Sequence, residues 1–374
     1  MSSQPTFSIA GRDIGPDFPP YVIAEISCNH AYASDHGEHK AGKSYERCEE
    51  LVRQAAAAGC DAVKLQTYLA DTITMKCDTE HFQITGAKVA LWNHKTLHAL
   101  YDENSTPWEW TQPLMKLAND LGMVLFTSPF DESAVDYLEN INVPAYKIAS
   151  FENTDHGLLR KIAMTGKPVI MSTGMASVAD IDESVGILRA TNPNIQLAIL
   201  KCTSAYPADP ADANLCGIQM IAKTWGVVPG LSDHTVGPTV PIVAATLGAC
   251  IFEKHIILDR SHPTADAPFS LTGAEFKDLV DNTRVAKLTI GKPHVAFGKS
   301  SKESLSKKWR RSIFVTKAMK AGEAFVKGVN CRSIRPAAGL HTRYWSEVEG
   351  ATATRDIARG EPTDWGMLSV AKKE

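Results

Sequence analysis

The chain has 374 residues, 44% of them hydrophobic and 22% charged, the balance of a soluble globular protein. Its formal net charge of -3 gives no basic excess for nucleic acid or a membrane surface, and no stretch reaches the ~20 apolar residues of a membrane span. The eight cysteines form no CxxC pair and the N-terminus has no apolar h-region, which predicts reduced thiols in a cytoplasmic protein without a signal peptide.

In chain order, residues 7–20 read as a short hairpin with a Pro-rich exit, GPDFPP, suited to plug the bottom of a barrel. Eight apolar runs follow: YVIAEISCNH, DAVKLQT, MVLFTSPFD, AYKIASFE, PVIMSTG, LAILKCTSAYP, VVPGLSDHT and ACIFEKH. They predict strands over residues 21–26, 61–66, 123–127, 145–148, 168–171, 197–201, 227–231 and 249–253. Helical patterns fill the intervals, from residues 44–58 to a last helix over 273–288. Strict strand–helix alternation predicts a parallel sheet, and eight repeats predict closure into a (β/α)8 TIM barrel. Each run ends in a polar cluster, and the C-terminal strand ends are where such a barrel keeps its active site.

The connection over residues 67–107 is the longest, and a loop of that length in a compact barrel is usually functional. Thr106-Pro107 reads as N-cap and N1 of the helix that follows. A barrel takes about 250 residues, so one further small domain is expected. The predicted division is a barrel over 1–290, a basic Ser-rich linker over 291–311 and a β-rich domain over 312–374. KAMKAGEAF and RDIARGEPT form a weak internal echo in that last part. A domain of about 60 residues is near the lower limit of independent stability and is expected to pack on something else.

His234 and His255 follow neighbouring strands, so their imidazoles should meet at one side of the mouth. With water and substrate oxygens they could hold Mn²⁺ or Mg²⁺; the alternative is two satisfied structural histidines. His30 is a third candidate. Lys64 and Lys147 sit inside apolar runs, where lysine is rarely buried alone. They form either structural ion pairs with Glu25 or Glu152, or a pair of ammonium groups facing the axis to hold phosphate and carboxylate. Ser128, Ser150, Ser172 and Ser232 each end a different strand and could donate to one phosphate. Glu25, Glu152 and Asp266 are the nearest carboxylates, with Glu25 placed for acid–base work. Trp108 and Trp110 read as packing residues. A Walker or GxGxxG loop is absent, which speaks against ATP or dinucleotide use.

Taken together, IAEISCNH, VKLQTY, SPFD, YKIASFE, MSTGMAS, LKCTSAYP, GLSDHT and EKHIILDR resemble the sialic acid synthase family. RRSIFV, KAGE and SIRPAAGL resemble its C-terminal antifreeze-like (SAF) domain. LYDENSTPWEW and GLHTRYW look most like the branch that makes pseudaminic acid. The resemblance implies an enzyme that condenses phosphoenolpyruvate with an open-chain amino sugar, here a 2,4-diacetamido-2,4,6-trideoxy hexose. It implies that His234 and His255 bind the divalent metal, and that Lys64, Lys147, Ser128, Ser150, Ser172 and Ser232 surround phosphoenolpyruvate. Glu25 would orient water or move a proton, while Gln66, Tyr206, Glu152 and Asp266 would line the sugar site. Arg335 would reach the site from the second domain, from the other subunit of a domain-swapped homodimer. Two departures from the family pattern stand out. HPTADAPFS replaces a Gly-Pro-Asp segment, keeping the acid at Asp266, and SDHGEHKAGKS adds residues after His30.

Three rivals remain at this level. The first is a synthase of N-acetylneuraminate or legionaminate, decided by the connection over 67–107 and the surroundings of Asp266. A metal-dependent barrel aldolase or related phosphoenolpyruvate-condensing enzyme would need a second phosphate site and no tail domain. A carbohydrate- or ice-binding protein is suggested only by the tail, and the polar mouth argues against it.

Overall fold

The computed structural model describes residues 6–31, 43–85, 95–261, 264–291 and 300–369. Most of the added loop after His30, the Leu91-Trp92 part of the long connection, and His262-Pro263 fall outside them. The chain divides into two compact units, Met1–Ile290 and Gly291–Glu374. Among the described residues no helix is long and apolar enough to cross a membrane.

The first unit opens with an antiparallel hairpin, β1 (Phe7–Ile9) against β2 (Arg12–Ile14). Eight parallel strands follow: β3 (Tyr21–Glu25), β4 (Ala62–Thr67), β5 (Val124–Pro129), β6 (Tyr146–Ile148), β7 (Val169–Ser172), β8 (Leu197–Cys202), β9 (Val228–Asp233) and β10 (Ile251–His255). Each pairs with the next and β10 pairs with β3, so the barrel closes. Its helices are α1 (Lys43–Ala58), α2 (Ala70–Ile73), α3 (Leu97–Asn104), α4 (Thr111–Asp120), α5 (Glu132–Asn140), α6 (His156–Met164), α7 (Val178–Thr191), α8 (Gly217–Trp225), α9 (Thr239–Thr246) and α10 (Gly273–Thr289).

Most strands run one or two residues beyond the ends expected from their apolar runs. The backbone ladder continues under the polar side chains: Gln66 pairs with Ser128, Cys202 with Ser232 and Glu25 with His255. Ser128, Ser172, Ser232 and His255 therefore sit on strands rather than on the loops after them.

Side chains alternate across each strand, and this places the chemistry. On β3, Val22 and Ala24 join the outer core beneath α1 and α10, while Tyr21 and Ile23 join an inner cluster. That inner cluster also holds Ala62, Phe126, Ile170 and Ile251, together with Phe7, Ile9 and Ile14 of the hairpin. The hairpin thus plugs the bottom. One step of two residues further along each strand, the inward position turns polar: Glu25, Lys64, Ser128, Ser172 and Glu253.

In the second unit, β11 (Ser312–Val315) pairs antiparallel with β12 (Cys331–Ile334), and β13 (Thr352–Ala353) with β14 (Leu368–Ser369). The two echo segments lie against each other. Met319 and Ile357 exchange backbone hydrogen bonds of 2.9 Å in both directions. Gly322 and Gly360 close equivalent turns at φ of +84° and +91°, a region that favours glycine. Ile313, Val315, Phe325 and Val348 fill the core. The stretch expected as a linker contains α11 (Ser301–Ser306) and belongs to this unit. Its polar SSKES sequence is a capping box, with Ser300 and Glu303 bonding each other's backbone N–H, a helix start signal hidden by the basic composition.

Candidate active site

A cavity of about 520 Å³ opens at the C-terminal ends of the strands. Its floor is a charged cluster. Lys64 Nζ stands 2.5 Å from Glu25 Oε2 and 3.7 Å from Glu253 Oε1, and donates to Ser128 Oγ at 3.2 Å. Lys147 Nζ is 3.7 Å from the same Glu253 oxygen. Gln66 Nε2 donates to Glu25 Oε1 at 3.1 Å, and Ser232 Oγ to Glu253 Oε1 at 3.4 Å. Burial works against the charge of Lys64, but Glu25 and Glu253 overcome it and hold the ammonium above its ordinary pKa. Lys147 is less well compensated: burial lowers its pKa and Glu253 offsets only part of that. Both lysines are therefore at once ion-paired and turned to the cavity.

Ser150 and Ser172 line the same cavity. Ser150 Oγ accepts from Gly174 N at 3.0 Å. A side chain at Gly174 would collide with Ser204 and meet Ser150 Oγ at 2.7 Å, so the loop after β7 can come this close only with glycine. Ser172 Oγ and one oxygen each of Glu152 and Glu253 are buried with no hydrogen-bond partner among the described residues. Buried polar atoms are rarely left unpaired without a reason, and these border a space a ligand could fill. Burial drives the Glu152 carboxyl up to about 7, only partly offset by Lys147.

His234 and His255 meet as expected from neighbouring strands, their ring centroids 5.4 Å apart. His234 Nδ1 lies 3.0 Å from Thr203 O. A carbonyl only accepts, so Nδ1 carries a proton, and in the neutral ring Nε2 keeps its lone pair. His255 Nδ1 lies 3.2 Å from Asp266 Oδ2, off the line of a good hydrogen bond. Asp266 also accepts from Ser27 Oγ at 2.7 Å. Burial opposes the Asp266 charge, but His255 and Ser27 outweigh it and hold the carboxyl below its ordinary pKa. Tyr206 packs on His234 at 4.6 Å, and Phe269 on His255 at 5.0 Å.

The pair fits a divalent cation: the second ring nitrogen of His234 is held by a carbonyl, and that of His255 lies beside a carboxylate, the surroundings usual for metal-binding histidines. The charge balance fits too. The two ammonium groups share the cavity with the carboxylates of Glu25, Glu253 and Asp266, so an anionic substrate needs a further cation. Among the described residues no group of three or more His, Cys, Asp or Glu forms a complete metal site. The two imidazoles would leave the other positions to water and substrate.

Some expectations do not hold. His30 is not at the cavity: its Nε2 bonds Thr106 Oγ1 at 2.9 Å and its ring stands edge-on to Trp110. That bond engages the Thr106 hydroxyl, and Pro107, not Thr106, precedes the turn Trp108–Trp110. Ser128 acts on the site through Lys64 instead of lining the cavity. Arg335 lies in the second unit, exposed, just after β12. Sequence reasoning missed Glu253, which bridges both lysines. Its signal was the two-residue step from His255 on a strand, which puts both on one face. Lys254 points the other way and pairs with buried Asp233 at 2.5 Å.

A family model described as NeuB family matches residues 51–295, and one described as SAF domain matches residues 310–369. The chain is 36% identical over 344 residues to the pseudaminic acid synthase of Helicobacter pylori, covering 92% of this chain and 96% of that one. It is 37% identical over 341 residues to a pseudaminic acid synthase of Campylobacter jejuni, covering 91% and 94%. The crystal structure of the spore coat polysaccharide biosynthesis protein SpsE from Bacillus subtilis superposes with a TM-score of 0.62 at 30% identity, covering 98% of this chain and 100% of that one.

Proposed function

The chain belongs to the NeuB family and carries a SAF domain, and from that premise we propose a nonulosonic acid synthase. It condenses phosphoenolpyruvate with an open-chain 2,4-diacetamido-2,4,6-trideoxy hexose to give pseudaminic acid and phosphate. The relatives named pseudaminic acid synthases support that choice of acceptor. The observation that carries the reading is the pair of buried ammonium groups, Lys64 and Lys147, on the floor of the cavity that also holds His234 and His255.

Lys64 and Lys147 bind the phosphate and carboxylate of phosphoenolpyruvate, in the ground state as well as later. Ser150, Ser172 and Ser232 donate hydrogen bonds to the same anion, and Ser128 fixes Lys64. His234 and His255 would hold Mn²⁺ or Mg²⁺ through Nε2, which when bound supplies Lewis acidity toward the acceptor aldehyde oxygen. The new bond joins C3 of phosphoenolpyruvate to that aldehyde carbon, water adds at C2, and phosphate leaves with its bridging oxygen. Glu25, oriented by Lys64 and Gln66, takes the proton of that water. Gln66, Tyr206, Glu152 and Asp266 face the sugar. Arg335 of the partner subunit completes the mouth in a domain-swapped homodimer.

The test is incubation with phosphoenolpyruvate, Mn²⁺ and a panel of 2-acetamido sugars, with products identified by mass. A nine-carbon acid from the diacetamido-trideoxy sugar is expected, abolished by chelation and restored by Mn²⁺. A higher kcat/KM with N-acetylmannosamine would contradict the choice of acceptor; turnover that survives chelation in a His234→Ala/His255→Ala protein would contradict the metal.

A further inference from the structure

The cavity has a side that this chemistry does not use. It is built outside the barrel, mostly by the connection between β4 and β5. α3 presents Leu97, Leu100, Tyr101 and Asn104 at i, i+3, i+4 and i+7, one helical face, and all four line the cavity. The helix is firmly started: Thr96 Oγ1 accepts from Ala99 N at 3.2 Å. Gln83 bridges antiparallel to Thr96, and Ile84 N donates to Lys95 O at 2.9 Å. That short ladder ties Ile84 to Lys95, two residues before Leu97, and both Ile84 and Leu97 line the cavity. Ile73 comes from α2, and Phe130 from the end of β5. Tyr68 braces this side edge-on, 5.6 Å from Tyr101 and 5.2 Å from Phe130. The one amide on the face, Asn104, donates to its own helix at Leu100 O, 2.8 Å away.

Besides a floor of ammonium, carboxylate and hydroxyl groups, the same cavity is thus walled by the aliphatic side chains of Ile73, Ile84, Leu97 and Leu100 and the ring of Phe130. We propose that Ile84, Leu97 and Leu100 are specificity-determining residues that receive the methyl-terminated end of a deoxy amino sugar and disfavour the same sugar ending in a hydroxymethyl group. This rests on the synthase reading above. The floor engages the reacting end, so the far end of the acceptor meets the wall. A hydroxyl there would lose its water without gaining a partner, whereas a methyl group gains by burial. An apolar pocket discriminates against one added hydroxyl by a factor on the order of 10 to 100.

The experiment compares 2,4-diacetamido-2,4,6-trideoxy hexose with its 6-hydroxy counterpart in wild type, Leu97→Asn, Leu100→Asn and Ile84→Thr. The wild-type ratio of kcat/KM should favour the deoxy sugar by about tenfold or more. Each polar variant should lower that ratio severalfold through the acceptor KM, with the KM for phosphoenolpyruvate unchanged, which also reports an intact barrel. A ratio that stays constant while both acceptors weaken together overturns the proposal and leaves the synthase reading standing. No product from wild type with any acceptor overturns the synthase reading, and the wall falls with it.

Discussion

Glu152 carries the most informative single ionisation in the cavity. Its carboxyl is pushed by burial up to about 7, with one oxygen buried and unpaired. The sign of the consequence is fixed by linkage. Unfolded, the group ionises near the ordinary glutamate value; folded, it ionises only near 7. Between those values the folded state holds the extra proton, so stability falls as pH rises through that window. Above about 7 the full cost remains, on the order of 3 kcal/mol. Glu152→Gln removes this ionisation. The variant should gain Tm relative to wild type on going from pH 5 to pH 8, measured by calorimetry at both values. A Tm difference that does not change with pH would contradict the buried charge. Lys64 and Lys147 show how far residue type alone can be read. A lysine inside an apolar run is conspicuous in sequence, and both are ion-paired, Lys64 with Glu25 as expected and Lys147 with Glu253 instead of Glu152, while both also line the cavity where the anion-binding role is proposed.

Among the elements, the strands were legible and their ends were not. Apolar runs such as YVIAE and AILK mark buried strands through composition. The runs stop where side chains turn polar, while backbone pairing goes on through Ser232 and His255. Hydrophobicity therefore finds the barrel and truncates the segments that carry its chemistry. Glu253 was overlooked for a different reason: the predicted strand over 249–253 contains it, but its inward face becomes evident only from the two-residue step to His255. The long connection stood out by its length, and its residues line the cavity, but α2 and α3 were not legible within it, because α3 is mixed in polarity and buries no residue fully. Its order comes from the Thr96 cap and the Gln83–Thr96 bridge, contacts that a window of sequence does not reveal. His30 misled because a strand-end histidine reads alike whether it turns to the cavity or to Trp110.

At the scale of the whole molecule, the second unit needs a role in a synthase whose reacting groups all lie in the barrel. In the proposed reading Arg335 would supply one: it is exposed just after β12, and guanidinium suits forked donation to acetamido or carboxylate oxygens. If Arg335 of the partner subunit completes each mouth, Arg335→Ala and His255→Ala proteins should each be nearly inactive. Mixed and re-associated, they should regain up to about a quarter of wild-type activity if the subunits exchange at random and each active mouth pairs an intact barrel with an intact arginine. Confirmed exchange without recovery would place the arginine within its own chain or outside the site. The central claim, condensation through water attack at C2, is tested most directly by phosphoenolpyruvate labelled with heavy oxygen in its C–O–P bridge. With the acceptor sugar and Mn²⁺ present, the label should appear in inorganic phosphate, read by mass spectrometry. Label retained in the sugar acid would mean cleavage of the P–O bond and would contradict the account.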